Sequence, residues 1–422
     1  MLEIQRIRTE REAIIEGLKK RHFNATSIVD ELLSVDEKWR IYKGELEKIS
    51  SQMNSISKEI GILFKEGKVQ EANSAKEQTS ILKTSEADLK ERVEGFEKQI
   101  TELMYQLPNV PNELVKAGKS ELDNETIEEH GIRPEFGFNA LPHWELADKH
   151  KLIDFELGVK ITGAGFPVYR GKGAKLQRAL ISFFLDEAEK AGYEEHIPPL
   201  VVNEASGYGT GQLPDKEGQM YFVPEDDLYL IPTAEVPLTN IFRDVILPDE
   251  KFSIKLTGYT PCFRREAGSY GSDVRGLNRL HQFDKVEIVR IEHPSNSDAA
   301  LNEMIAHVKG LLEKLGLQYR VLRLCGGDTG FAAAMTYDFE VYSAAQEKWL
   351  EVSSVSRFDT FQSTRLKLRF KNENKKTQLC HTLNGSALAL PRILAAVLEN
   401  NQTENGIEIP EVLHQYTRFT SI

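Results

Sequence analysis

Cysteine is scarce in this chain: Cys262, Cys325 and Cys380 are all it has. Three widely separated cysteines exclude a disulfide framework and match no zinc-ligand spacing. No structural zinc is therefore expected, and reduced thiols point to a cytoplasmic protein. Long apolar runs are missing too. No stretch of about 18 apolar residues occurs, so neither a transmembrane helix nor a membrane partner is expected. The opening MLEIQRIRTEREAIIEGLKKRH mixes charged with apolar residues and lacks a signal-peptide core. Nor is there an excess of basic charge. The chain carries 53 Lys and Arg against 65 Asp and Glu, a net charge of −12, which argues against a general nucleic-acid binder. The deficit is uneven, because residues 1–107 hold 18 basic and 20 acidic side chains. Any RNA contact then falls to local patches, with the nearly neutral N-terminal part the better candidate.

What the chain does have is 422 residues, enough for two or three domains, and a sustained heptad seam near its start. Leu32, Val35, Trp39, Tyr42, Leu46, Ile49, Met53, Ile56, Ile60 and Leu63 follow alternating steps of three and four. That period predicts a coiled-coil helix over residues 29–64. The pattern lapses around Gly67. It resumes through Ala72, Ala75, Thr79, Leu82, Leu89, Val93, Phe96, Ile100, Leu103 and Leu107, with Glu86 the one interruption, and Pro108 and Pro111 end it. A short turn between long helices makes them antiparallel neighbours. Residues 1–108 are thus expected to form a helical arm, with the hairpin over about 29–107. Taken alone, such a hairpin reads most simply as a structural or oligomerising coiled coil. Lysines flanking the seam are interleaved with glutamates and suit solvated helix pairs as well as phosphates.

Residues 108–145, rich in Pro, Gly, Asn and acids, read as a mostly irregular connection. A helix is expected in WELADKHKLID and another from about Lys175 to Ala191, ending at Gly192. HIPPLVVN then reads as a strand with prolines at its start. Thr233-Ala234-Glu235 lies between Pro232 and Pro237, which would hold it as a fixed loop. A hydroxyl beside a carboxylate suits a small polar amino acid, and equally suits a simple helix start. YDFEVYSAAQEKWLEVSSVSRFDTFQSTRL alternates like strands of a half-buried sheet. In HTLNGSALALPRILAAVLENNQ a strand, Gly385 and a helix carrying Arg392 are expected, with Ser386 where the chain turns into that helix.

The most informative segment is CFRREAGSYGSDVRGLNRLHQF, residues 262–283, between the strand-like KLTGYTPCF and KVEIVRI. Side chains two apart on a strand share a face, so Arg264 and Glu266 point the same way. Arg264 can fork onto a phosphate, Glu266 can accept from an amino group, and Phe283 with Arg279 can sandwich an aromatic ring. An ordinary hairpin with a basic loop is the bland alternative.

Phe-Arg-Arg-Glu, a Gly-rich loop and Arg-x-x-x-Phe resemble motif 2 of the class II aminoacyl-tRNA synthetases, and CFRREAG with RGLNRLHQFDKVE resembles the seryl-tRNA synthetases among them. The helix–strand–Pro unit near HIPPLVVN is similar to motif 1, the family's dimer interface. The segment around Arg392 is similar to motif 3. The resemblance implies an α+β fold: an N-terminal antiparallel two-helix coiled coil plus, over 109–422, a catalytic domain with an antiparallel sheet flanked by helices. It implies ATP-dependent activation of L-serine and transfer to tRNA(Ser), and to tRNA(Sec) where that exists, by a homodimer whose arm grips the long variable arm of the tRNA.

It further implies an ATP site of Arg264, Arg265, Glu266, Arg279, Phe283, Glu351, Val352, Ser353, Ser354 and Arg392. Of these, Arg264, Glu266 and Arg392 would carry catalysis, and Glu351 and Ser354 would hold Mg²⁺. Serine would meet Thr233, Ala234, Glu235, Arg264, Glu287, Asn384 and Ser386. Three rivals stand beside this reading. Threonyl or prolyl enzymes would need a C-terminal anticodon-binding domain, an amino acid–carrier protein ligase would lack the arm, and a non-catalytic coiled-coil adaptor would have lost the site's arginines or carboxylates.

Overall fold

The computed structural model describes residues 1–215, 217–248, 252–266 and 275–422. The chain divides into two units, one of Leu2–Lys19 and Phe23–Pro108, the other of Met1, Lys20–His22 and Asn109–Ile422.

In the first unit the two seams become helices α1, Thr26–Lys65, and α2, Val69–Met104. At about 1.5 Å per residue they run about 60 and 54 Å. The chain reverses at Gly67, whose φ of +76° suits a residue without a Cβ. Every residue of both predicted seams is buried or half-buried. Cross-helix partners descend along one helix as they ascend the other: Tyr42 packs on Phe96 with ring centroids 5.5 Å apart, and Ser50 donates to Glu86 at 2.7 Å. The helices are therefore antiparallel. That second contact also explains the interrupted seam, since the Ser50 hydroxyl satisfies Glu86 and pins the register. Replacing both Ser50 and Glu86 with leucine should raise the arm's melting temperature, followed by circular dichroism, by a few degrees. The N-terminal residues form short helices Ile4–Thr9 and Arg11–Lys19. Arg8 there forks onto the buried Asp36 of α1 through Nε at 2.8 Å and Nη2 at 2.5 Å.

The second unit is built on an eight-stranded sheet. Its strands are β1 (Glu125–His130), β2 (Glu194–Glu195), β3 (Ile254–Phe263), β4 (Gln282–Glu292), β5 (Tyr319–Arg323), β6 (Met335–Ser343), β7 (Lys348–Asp359) and β8 (His381–Ala389). Their order is β1-β5-β6-β7-β8-β4-β3-β2, antiparallel except where β2 meets β3. Helices α3 (Gly171–Lys190), α5 (Ser297–Lys314) and α7 (Leu390–Asn400) pack on the sheet; α4 (Glu235–Asn240) and α6 (Phe361–Leu366) are shorter. Alternation along each strand divides the labour. Val286 and Ile288 of β4 and Leu383 and Ala387 of β8 join the large core that contains Phe183, Met304 and Ile393. Their neighbours Lys285, Glu287, Asn384 and Ser386 have the opposite orientation.

Two expectations need correction, and a third needs an addition. The connection after residue 108 is mostly irregular, as expected, but within it Glu125–His130 forms the edge strand β1 on β5. Its acidic sequence hid it, because an edge strand buries little and its charges are met by Arg323 and Lys309. HIPPLVVN is not one strand. Pro198 and Pro199 lack the N–H a ladder needs, and only Val201–Asn203 pairs, in a separate small sheet with Phe222–Val223 and Leu228–Leu230. Ser386 and Gly385 are not at a helix entrance. They lie inside β8, which continues to Ala389, and α7 begins with Pro391 in its first turn, where the missing N–H costs nothing. Among the described residues no helix is long and apolar enough to cross a membrane.

Candidate functional site

The site lies where β3, β4, β7 and β8 run side by side. Arg264 leaves the end of β3. Its backbone N–H donates to His281 O at 2.9 Å, its Nε donates to Pro232 O at 3.3 Å, and its guanidinium lies over the Phe283 ring, 5.2 Å from the centroid. Arg279, expected to sandwich an aromatic ring together with Phe283, pairs with Glu266 through Nε. Register accounts for this: Phe283 faces Cys262 across the ladder, which brings Arg264 beside the ring. Arg265 is exposed, and its N–H donates to Gln219 O at 2.8 Å. The Gly-rich turn at residues 267–274 lies outside the described residues.

Below this lies a buried polar pocket. Glu235, Glu287, Thr233 and Ser386 are 5%, 2%, 4% and 6% exposed, and Ala234 beside them is fully buried. Thr233 Oγ1 donates to Glu287 Oε2 at 3.2 Å and accepts from the Glu235 N–H at 3.2 Å. Glu235 is thus the first residue of α4 rather than part of a fixed loop, with the Thr233 hydroxyl serving the helix start. Glu287 stands opposite Ser386 in the ladder, and Val289 opposite Asn384. Burial, then the charge of Glu287, pushes the Glu235 carboxyl up to about 7. Glu287 is raised by its own burial, while Lys285 opposes the rise.

The far end of the site is formed by β7 and α7. Ladder pairing jumps from Ser353 to Glu351, so Val352 is a bulge residue. Val352 and Ser353 are buried while Glu351 is exposed. Ser353 Oγ donates to Ser386 O at 2.6 Å, and the Ser354 N–H donates to Ser386 Oγ at 3.4 Å. Arg392 donates through Nη1 to Glu351 O at 2.7 Å and through Nε to Asn278 O at 3.0 Å, and its Nη1 is 3.5 Å from Glu351 Oε2. Ser354 Oγ contacts both Asp338 Oδ1 at 2.5 Å and Glu351 Oε1 at 3.5 Å. Burial, then Glu351, holds the Asp338 carboxyl well above the ordinary carboxylate range. Carboxyl and hydroxyl oxygens grouped in this way are hard donors of the kind a small divalent cation takes. No group of three or more His, Cys, Asp or Glu converges as a metal site among the described residues, so a cation here would take its remaining ligands from a bound phosphate.

Comparison with known proteins agrees with both units. Residues 1–111 match the family model described as seryl-tRNA synthetase N-terminal domain, and residues 222–401 match that of the tRNA synthetase class II core domain (G, H, P, S and T). The chain is 51% identical to a serine–tRNA ligase of Salinibacter ruber, over 100% of this chain and 99% of that protein. It is 45% identical to one of Methylacidiphilum infernorum, over 99% of each. The crystal structure of seryl-tRNA synthetase from Pyrococcus horikoshii complexed with ATP superposes with a TM-score of 0.91 at 32% identity, covering 100% of this chain and 99% of that one. The chain belongs to the seryl-tRNA synthetase family. Membership makes it a class II aminoacyl-tRNA synthetase with serine–tRNA ligase activity, and sets aside the adaptor, carrier-protein and threonyl or prolyl readings.

Within this seryl-tRNA synthetase, two pocket residues escaped the sequence reading. Lys285, 8% exposed, places Nζ 2.6 Å from Glu287 Oε2 and 2.8 Å from Thr233 Oγ1. Gln362 of α6 donates through Nε2 to Glu235 Oε1 at 2.6 Å, and its Oε1 accepts from Thr382 Oγ1 at 2.7 Å, which fixes the amide orientation. The alternation of KVEIVRI carried a signal for Lys285, two residues before Glu287 on the same face. Nothing local marked Gln362.

Proposed function

We propose that the chain joins L-serine to ATP as seryl-adenylate, releasing pyrophosphate, and then passes serine to the 3′-terminal adenosine of tRNA(Ser), and of tRNA(Sec) where that is made. A serine carboxylate oxygen attacks the α-phosphorus in the first step, and a ribose hydroxyl displaces AMP in the second. Neither step needs a protein nucleophile, so catalysis rests on alignment and on neutralising developing charge.

Arg264 would bridge the serine carboxylate and the α-phosphate. Phe283 would stack on adenine, Glu266 would accept from its amino group, and Arg265 and Arg279 would border the nucleotide. Val352 and Ser353 would line its floor and Arg392 would meet the γ-phosphate. Glu351 and Ser354 would hold Mg²⁺, which supplies charge neutralisation at the phosphates. Thr233, Ala234, Glu235, Glu287, Asn384 and Ser386 would enclose serine. The observation that carries this reading is the buried Glu235–Glu287–Thr233 pocket directly beneath the Arg264–Phe283 stack: it holds acceptors for an ammonium and a hydroxyl. Alanine would leave those groups unpaired, so rejection of about 10⁴-fold is expected.

Residues 1–108 would be the tRNA-binding arm and 109–422 the catalytic domain of a cytoplasmic homodimer. Charging assays with labelled serine test the whole reading. tRNA(Ser) should be acylated, a tRNA with a short variable arm should not, and light scattering should give twice the chain mass.

The pocket also predicts a pH dependence. Glu235 titrates near 7, so the KM for serine should fall as pH rises through 7 and the carboxylate ionises. The folded-state pKa is raised above the ordinary 4.5. Glu235 therefore favours the fold fully below about 4.5, and that contribution is lost as pH rises through about 7. Glu235→Gln removes the loss, on the order of 3 kcal/mol. Its melting temperature should exceed wild type at pH 8 and converge with it near pH 5, while serine activation falls at least about 100-fold. Equal melting curves at pH 8 would count against the buried charge.

A further inference from the structure

A second buried network, outside the pocket, ends on Arg392, its one member assigned to the nucleotide. His143 and Glu399 are both fully buried. The Leu277 N–H donates to His143 Nε2 at 2.8 Å, so Nε2 is the unprotonated nitrogen, and Nδ1–H donates to Glu399 Oε1 at 2.7 Å. Three further donors converge on that carboxylate: the His143 N–H at 2.9 Å, Gln346 Nε2 at 2.9 Å and Ser343 Oγ. Gln346 Oε1 in turn accepts from Asn278 Nδ2 at 2.9 Å, and Asn278 O receives Arg392 Nε at 3.0 Å.

Glu399 and Arg392 are seven residues apart, so they share one face of α7. The segment 275–280, the return limb of the hairpin that carries Arg264, is held against that face at two points. One is Leu277 on His143; the other is Asn278 between Gln346 and Arg392. Gly276 has φ of +67°, and a Cβ there would come 2.2 Å from His143 Nε2, so the imidazole packs against bare backbone. Gln402, just past α7, holds the residues that lead into His143, with Oε1 accepting from the Leu141 N–H at 2.8 Å and Nε2 donating to Leu141 O at 3.0 Å. The imidazole thus has one side on the loop and the other on the helix, with its tautomer set by both.

We propose that His143, oriented by Glu399 and linked through Gln346, is a positioning residue for ATP. It fixes the return limb so that Asn278 O holds Arg392 in its γ-phosphate-binding orientation, without touching the nucleotide. This rests on the reading of Arg392 as an ATP contact. A misplacement of about 1 Å at such a contact can cost about 100-fold.

The test is steady-state ATP–pyrophosphate exchange with serine on the full-length protein, varying ATP and serine separately. His143→Ala should raise the KM for ATP and lower kcat, with kcat/KM for ATP down about 30-fold or more, while the KM for serine stays within about twofold. His143→Gln, whose amide can both accept from Leu277 and donate to Glu399, should recover most of the loss. Gln346→Leu lies on the partly exposed turn between β6 and β7 and is not expected to unfold the protein. It should shift the KM for ATP upward about three- to tenfold, and it carries the test if His143→Ala does not fold. Unchanged KM for ATP in Gln346→Leu, equal rises in both KM values, or no recovery in His143→Gln would each overturn the proposal. Absence of serine-dependent exchange in the wild type would instead remove the functional reading on which it rests.

Discussion

Arg264→Ala is expected to lower serine-dependent ATP–pyrophosphate exchange at least about a thousandfold. The guanidinium is held between the buried Glu235–Glu287–Thr233 pocket and the Phe283 ring, tied there by Pro232 O and by strand register. On the proposed reading it contacts both reacting partners: the carboxylate that attacks and the phosphate that is attacked. Lysine at 264 should rescue little, because a point charge cannot bridge two oxyanions as a planar fork does. The side chain is only partly buried and holds no strand together, so the melting temperature should stay within a few degrees of wild type. A variant that keeps a tenth of the activity would remove Arg264 from the centre of the mechanism.

Deletion of residues 29–107 is the second large effect. Adenylate formation should remain within a few-fold of wild type, whereas charging of tRNA(Ser) should drop below detection. The helices pack on each other through their own seam, with buried Leu32, Val35, Leu89 and Val93 and the cross-helix Ser50–Glu86 bond. The residues proposed to hold the nucleotide and serine all belong to the other unit. Equal loss of both activities would mean that the arm supports folding rather than gripping RNA.

The sequence made some of this legible and hid the rest, for physical reasons. A heptad is a local signal, so both arm helices were readable to within a few residues of their ends. Its one flaw, Glu86, became intelligible only once Ser50 was seen across the hairpin. The strands bearing Glu287 and Glu351 were readable from alternation. The β1 strand was not, because an acidic edge strand has no alternation to read. SALALPRILAAVLEN, from Ser386 on, has the composition of a helix throughout, but its first residues extend β8 and Pro391 marks the actual helix start. Thr233, Glu235, Glu287 and Ser386 come from separate segments; strand pairing sets Glu287 opposite Ser386, and the Thr233 hydroxyl links Glu287 to the Glu235 backbone. Gln362 and His143 are held by partners 127 and 256 residues away, at Glu235 and Glu399. No window of sequence contains such pairs.

Whether this site activates serine with ATP is decided by amino-acid-dependent ATP–pyrophosphate exchange, run without tRNA on the purified protein with Ser, Thr, Ala, Cys and Pro in parallel. Serine should support exchange, and alanine should support it at a rate at least about 10⁴-fold lower. Exchange led by another of the five, or none from folded protein, would overturn the assignment.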